Sequence, residues 1–288
     1  MRFNDNNRAI DLLRQAADEA ERIGDGGYEV RIIANILLGF ILPFVGLGTE
    51  ANVRLDAVET LCRSQGDELH LGAILNNRSC LWIMMNDPVK FAADIGAVIS
   101  LARKIGNQYL ERQTQLNAGI FYYWRGEYDL SLAHAQRAIE MDEQRFRHGV
   151  RPEAAVLLIR ILWAQGQLQA ARQLRNEIRE HQHKAVADKK GELILAPNDA
   201  LIFDVISEIL DPSAEPGARW DQLLARAKEV AQGQELIEIL ELRGIAAEAE
   251  AQWPVARSAW QEAIALSASI PNVMETRIHR RLDSSPPA

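Results

Sequence analysis

"LNAGIFYYWRGEYDLSLAHAQRAIEMD", residues 116–142, holds two helix-like runs joined at Gly126. Apolar and small residues recur three and four apart on both sides of the glycine, the period of amphipathic helices and not the alternation of strands. Just before the turn stand Phe121, Tyr122, Tyr123 and Trp124. Such a cluster is either the lining of a ligand pocket or a corner where the chain turns.

Working outward, the corner recurs. Gly24, Gly66, Gly106 and Gly149 each follow a helical run, at separations of 42, 40 and 43 residues. Glycine just past a helix end takes positive φ at no steric cost. A basic residue lies within three positions before each, which suits the negative end of the helix dipole. A second series lies between them: Gly48, Asp87, Gly126 and Gly166, separated by 39, 39 and 40 residues. Asn35, Asn76 and Asn117 repeat at 41 and are read as the same register. Helix, short turn, helix, cap, repeated about every 40 residues, predicts a stack of helix pairs. The expected fold is all-α, a right-handed α-solenoid of about six antiparallel helix pairs. It forms one domain over residues 1–282, regular to 183 and degenerate from 184, with a disordered tail at 283–288. The run 6–23 has the form of a second helix without its first. The chain is then the C-terminal part of a longer protein, or this helix acts as a cap.

The formal net charge of −8 argues against a nucleic-acid partner, which needs surplus Lys and Arg on one face. Cys62 and Cys80 lack metal-ligand spacing and are expected as buried free thiols, a usage that fits the cytoplasm. No apolar h-region opens the chain. The stretch "IIANILLGFILPFVGLG", residues 32–48, is shorter than the roughly 20 residues of a membrane span and is broken by Asn35 and Pro43. A buried core helix is expected there, with no membrane partner.

Gly119, Tyr122, Gly126, Tyr128, Ser131 and Ala138, closed by "EMD", give residues 116–142 a pattern that resembles the tetratricopeptide repeat. The following unit keeps Leu162, Gly166, Leu168 and Ala171 but has Ile159 where a small residue is usual. The preceding one keeps Ala92, with Asp87 for glycine. The period is longer than that family's usual one and is similar to the repeats at the C-terminal end of large bacterial signalling ATPases and Ser/Thr kinases. This resemblance implies a non-catalytic module that binds a protein or peptide segment, in a signalling system with an upstream ATPase or kinase domain as a partner. It also implies that first helices line a concave groove, placing Asn117, Ile120, Tyr123 and Trp124 there, while Tyr122 and Tyr128 pack and Gly126 turns the chain. Arg78, Arg112 and Arg160, with Arg31, lie on first helices and would make that groove mildly basic. A clamp for a terminal carboxylate is not expected, because Glu153 and Leu157 stand where basic residues are needed.

No phosphate-binding glycine loop and no kinase signature occurs in the sequence. No catalytic residue, metal or cofactor is therefore expected. His181 and His183 lie two apart and would face different directions on a helix. Glu235, Glu238 and Glu241 are spaced to share one helix face and are expected to be solvated. Trp82, Trp124 and Trp163 fall once per unit near the end of a first helix, as packing residues first and groove residues second. A structural scaffold for self-assembly or interdomain packing is the competing reading, and an enzyme with an unfamiliar site in the solenoid is the third. The sequence leaves the oligomeric state open.

Overall fold

The computed structural model describes residues 3–145, 152–187, 195–231, 233–268 and 272–286. It is a succession of α-helices: α1 (Phe3–Ile23), α2 (Tyr28–Ile41), α3 (Gly48–Gln65), α4 (Glu68–Met84), α5 (Pro88–Lys104), α6 (Gln108–Arg125) and α7 (Tyr128–Arg145). Then come α8 (Pro152–Ala164), α9 (Leu168–Ala187), α10 (Pro197–Leu210), α11 (Pro216–Val230), α12 (Gln234–Ala249), α13 (Trp253–Ser267) and α14 (Glu275–Ser284). Consecutive helices pack pairwise, and the chain divides into two compact units, Met1–Thr114 and Gln115–Ala288.

The turns keep stricter time than the sequence suggests. Gly46, Asn86, Gly126 and Gly166 all have positive φ, and each is forty residues after the last. Gly48 and Asp87 are therefore not the turn residues. Gly48 opens α3, and Asp87 caps α5, its Oδ1 accepting from the Lys90 amide at 3.0 Å. Asn86 does at the second turn what glycine does at the others, since a short polar side chain tolerates the left-handed region. Gly24, Gly66 and Gly106 are left-handed as expected, while Gly149 lies outside the described residues.

Seven residues before each turn sits the crossing residue: Gly39, Ser79, Gly119 and Ile159. A Cβ on Gly39 would stand 2.5 Å from Leu55, and one on Gly119 would stand 2.8 Å from Leu157. Buried Ser131 sits opposite, its hydroxyl donating to the Gly119 carbonyl at 2.7 Å. Gly244 repeats the arrangement seven residues before left-handed Ala251, and a Cβ there would lie 2.1 Å from Trp260. Against this frame Asn35, Asn76 and Asn117 fall four, three and two residues before the crossing, so their 41-residue series does not mark equivalent places.

In the first unit α2 packs on α1, α3 and α4, and α4 packs on α5. In the second, α8, α10 and α12 touch in succession and carry α9, α11 and α13 beside them. Val156, Ile159, Leu201, Ile206, Trp220 and Leu242 are among the core of that second unit. The apolar stretch 32–48 is not a buried helix. Ile32, Ala34 and Leu38 are buried, but Ile33, Leu37 and Phe40 are 43%, 43% and 49% exposed along one face of α2. No described helix is long and apolar enough to cross a membrane.

Candidate functional site

The residues read as a groove in the second unit meet the chain's own distant helices. Trp124, near the end of α6, donates from Nε1 to Glu238 Oε2 on α12 at 2.6 Å. Arg160 of α8 donates from Nη2 to the same oxygen at 2.6 Å, and its guanidinium lies 4.4 Å from the centre of the Tyr123 ring. Arg277 of α14 donates to the Trp124 carbonyl at 3.0 Å, and grips Glu241 through Nε at 2.7 Å and Nη2 at 2.5 Å. It thereby caps the carbonyl end of α6, where the helix dipole favours a cation.

All of this cluster but Arg277 is buried. Glu238 is 1% exposed and Glu241 2%, and Tyr123, Trp124 and Arg160 are all buried. The solvated glutamate face expected on α12 is thus overturned for Glu238 and Glu241. Burial pushes the Tyr123 hydroxyl above its ordinary pKa, with the Glu238 charge adding to the effect. Burial works against the Arg160 charge, yet Glu238 outweighs it and holds the guanidinium protonated. Among the described residues, Glu238 Oε1 and Arg160 Nε meet no hydrogen-bond partner.

No protein-family model matches this sequence, and no curated protein matches it. What the fold itself carries is an all-α, repeat-like packing of helix pairs.

Of the expected groove residues, Tyr123, Trp124 and Arg160 are brought together. Asn117 and Ile120 are half-buried on the same helix. Arg78 and Arg112 belong to the first unit. Arg78 forms a bidentate pair with Asp94 at 2.8 and 2.9 Å and also holds Asp56 at 2.7 Å and Glu59. Trp82 donates to Asp94 at 2.8 Å, completing a tryptophan–arginine–carboxylate set made by neighbouring helices. Arg112 is buried in α6, and Arg31 pairs with Glu21 at 2.8 Å. Arg31, Arg78 and Arg160 are each held by a carboxylate, Glu21, Asp94 and Glu238 respectively, so they are matched charges within their own units.

Glu238, Glu241 and Arg277 were hidden from a reading based on spacing alone. A signal for the glutamates exists once Gly244 is taken as the crossing residue. Glu238 then stands six positions before it, the place that Ile33 holds before Gly39. By the same count Leu37 and Phe40 on α2 match Asn117 and Ile120 on α6. In the first unit that face is apolar and exposed; in the second Asn117 and Ile120 are half-buried, and Trp124 and Glu238 on the matching faces of α6 and α12 are buried.

The remaining candidates are structural. Asp67 caps α4 through the His70 amide at 3.1 Å, holds the His70 ring at 2.7 Å, and accepts from the Tyr28 hydroxyl at 2.8 Å. Burial works to raise the Asp67 carboxyl, but the His70 and Tyr28 hydrogen bonds prevail and keep it below the usual carboxylate value. Cys62 is free and buried, and burial pushes its thiol up. Cys80 is half-buried and outside any disulfide, its thiol pushed up to about 11 by desolvation, which leaves neither a ready nucleophile. His181 and His183 are exposed. Among the described residues no group of His, Cys, Asp and Glu is placed to hold a metal ion. A cavity of about 360 Å³ in the second unit is lined by Trp163, Trp220, Ile245 and Glu208, whose carboxylate already accepts from the Ser213 amide and hydroxyl.

Proposed function

We propose that the chain is a non-catalytic, right-handed, tetratricopeptide-like repeat module that binds a protein segment. It acts in the cytoplasm as a regulatory or sensing part of a bacterial signalling system, with an ATPase or kinase domain as its working partner. One observation carries this reading: α2 presents Ile33, Leu37 and Phe40 outward, on helices already ordered by packing. Large apolar side chains grouped on one face of a surface helix mark an interaction site more often than chance exposure does. Because the helices are preformed, binding there costs little ordering entropy.

Affinity capture with the full chain, using Leu37→Glu as the control bait, tests the proposal. Expected is a defined partner, identified by mass spectrometry and confirmed with purified protein, that the variant loses at least tenfold. Equal capture by both baits, or no specific partner, counts against it.

A scaffold role is the second reading, supported by the closure of Glu238 and Arg277 over α6. A unit whose inner face is filled by its own helices is rigid and offers its outer surfaces for assembly. Light scattering separates the two readings: a concentration-independent monomer counts against self-assembly.

A further inference from the structure

A carboxylate in the last turn of a helix meets the negative end of the helix dipole, and a buried one needs a cation or several donors. Glu208 stands in the last turn of α10, two residues before Leu210 ends the helix, and is 6% exposed. Among the described residues its donors are the amide and the hydroxyl of Ser213, at 3.0 and 2.9 Å, and both reach Oε1. The other oxygen, Oε2, receives no donor from these residues. Such a position works against the stability of the helix, so the acid is better explained by something it binds.

Glu208 lines the cavity of about 360 Å³ in the second unit, a size within the usual range of small-ligand pockets. Trp163 of α8, Leu210 of α10, Trp220 of α11, and Ile245 and Ala246 of α12 give it an apolar, partly aromatic wall. The arginines around it are engaged elsewhere. Arg172, also on the wall, donates to the Leu210 carbonyl at 2.8 Å and to Asp211 at 3.0 Å, and Arg175 holds the same Asp211 at 2.6 Å. Arg243 lies against the Trp220 ring, 5.3 Å from its centre, with the charges of Glu250 and Asp221 near it. Exposed Glu250 adds a second acid to the cavity wall. The buried Glu208 carboxylate is thus set among aromatic rings without a bonded counter-charge.

We propose that this cavity binds a small organic cation, a primary ammonium group carried on an aromatic body. The ammonium donates to Glu208 Oε2, and the body packs on Trp163 and Trp220. One open oxygen suits a single N–H donor, whereas the guanidinium fork is matched by two. Tryptophan rings attract a cation and bury an aromatic ring at the same time. An anion would meet Glu208 and Glu250, and a wholly apolar occupant would leave the buried carboxylate unanswered, which is costly. This site goes beyond the protein-binding reading and uses other residues, so either can fail without the other.

The test uses the full chain and 2-phenylethylamine, a cation at neutral pH, with 2-phenylethanol and 3-phenylpropionate as its neutral and anionic matches. Titration calorimetry should give saturable 1:1 binding of the amine, and no binding of the other two at the same concentrations. Glu208→Gln keeps an acceptor for Ser213 and removes the charge. It should weaken the amine roughly tenfold or more, with the melting temperature of the unliganded protein unchanged or raised. Ala249→Phe, at an exposed position on the cavity wall, should abolish binding by filling the space. The proposal falls if the amine does not saturate, or if the alcohol binds as well, since the cavity would then be apolar only. It falls equally if folded Glu208→Gln or Ala249→Phe binds the amine as the parent does. A Glu208→Gln protein that melts lower, from a parent that ignores the amine, would mean that the carboxylate only anchors Ser213.

Discussion

Each unit builds a tryptophan–arginine–carboxylate set, and the two sets differ in how far the chain must travel to make them. In the first unit Trp82 and Arg78 meet Asp94 across 12 and 16 residues, between adjacent helices. In the second, Trp124 and Arg160 meet Glu238 across 114 and 78 residues. The first is an ordinary contact of a helix stack, where each repeat touches its neighbours. The second closes the stack on itself, and Arg277 reinforces it from 153 residues away. Identical chemistry therefore does a local job in one unit and a global one in the other.

Removing the carboxylates should separate these jobs most strongly. Glu238→Ala leaves Arg160 buried without a counter-charge and Trp124 without an acceptor, and should cost about 3–5 kcal/mol. Asp94→Ala should cost less, about 1–3 kcal/mol, because Asp56 and Glu59 still hold Arg78. Denaturant unfolding followed by tryptophan fluorescence measures both, and equal losses would break the comparison.

Next in size is the crossing glycine. Gly119→Leu forces atoms toward Leu157 and the Ser131 carbonyl, and should cost about 1–3 kcal/mol. A neutral melting temperature for that variant would undo the register on which equivalent positions are compared.

A smaller effect comes from His134, stacked 5.4 Å from Tyr122 and bonded to Gln115 at 2.6 Å. Burial lowers its pKa below the ordinary 6.5. The unfolded chain then binds the proton first, so stability is full above that value and declines as pH falls from it toward the folded-state pKa. His134→Gln should remove this part of the acid dependence in melting curves between pH 7 and 5; an unchanged curve counts against the cause. Smallest of all is Leu37→Gln, expected to shift stability by under about 0.5 kcal/mol because the side chain lies at an exposed position, 43% accessible. A large loss would mean that the α2 face is used internally, as Trp124 is on α6.

Much of the fold was legible because its determinants are local. Glycine at positive φ, a small residue at a helix crossing and apolar spacing of three and four act within one helix pair. They gave the all-α class and the period, though Gly48 and Asp87 stood in for Gly46 and Asn86 because the left-handed residue precedes the cap. Tyr123 and Trp124 were expected on α6 as groove residues, yet they are buried, because whether they faced water depended on α12 and α14. Glu238 and Glu241 look like a solvated face for the same reason: spacing says which side chains share a face, and nothing about what that face meets.

The sequence by itself thus determined the helices and a period of about forty residues, with the turns placed to within two residues. Only the tertiary structure decided that Ile33, Leu37 and Phe40 stay exposed on α2 while Tyr123 and Trp124 of α6 are buried against Arg160 and Glu238. The physical reason is that local sterics and dipoles are set by residues a few positions apart. Burial of a charge pair depends instead on groups more than seventy residues away, whose arrival no local pattern records.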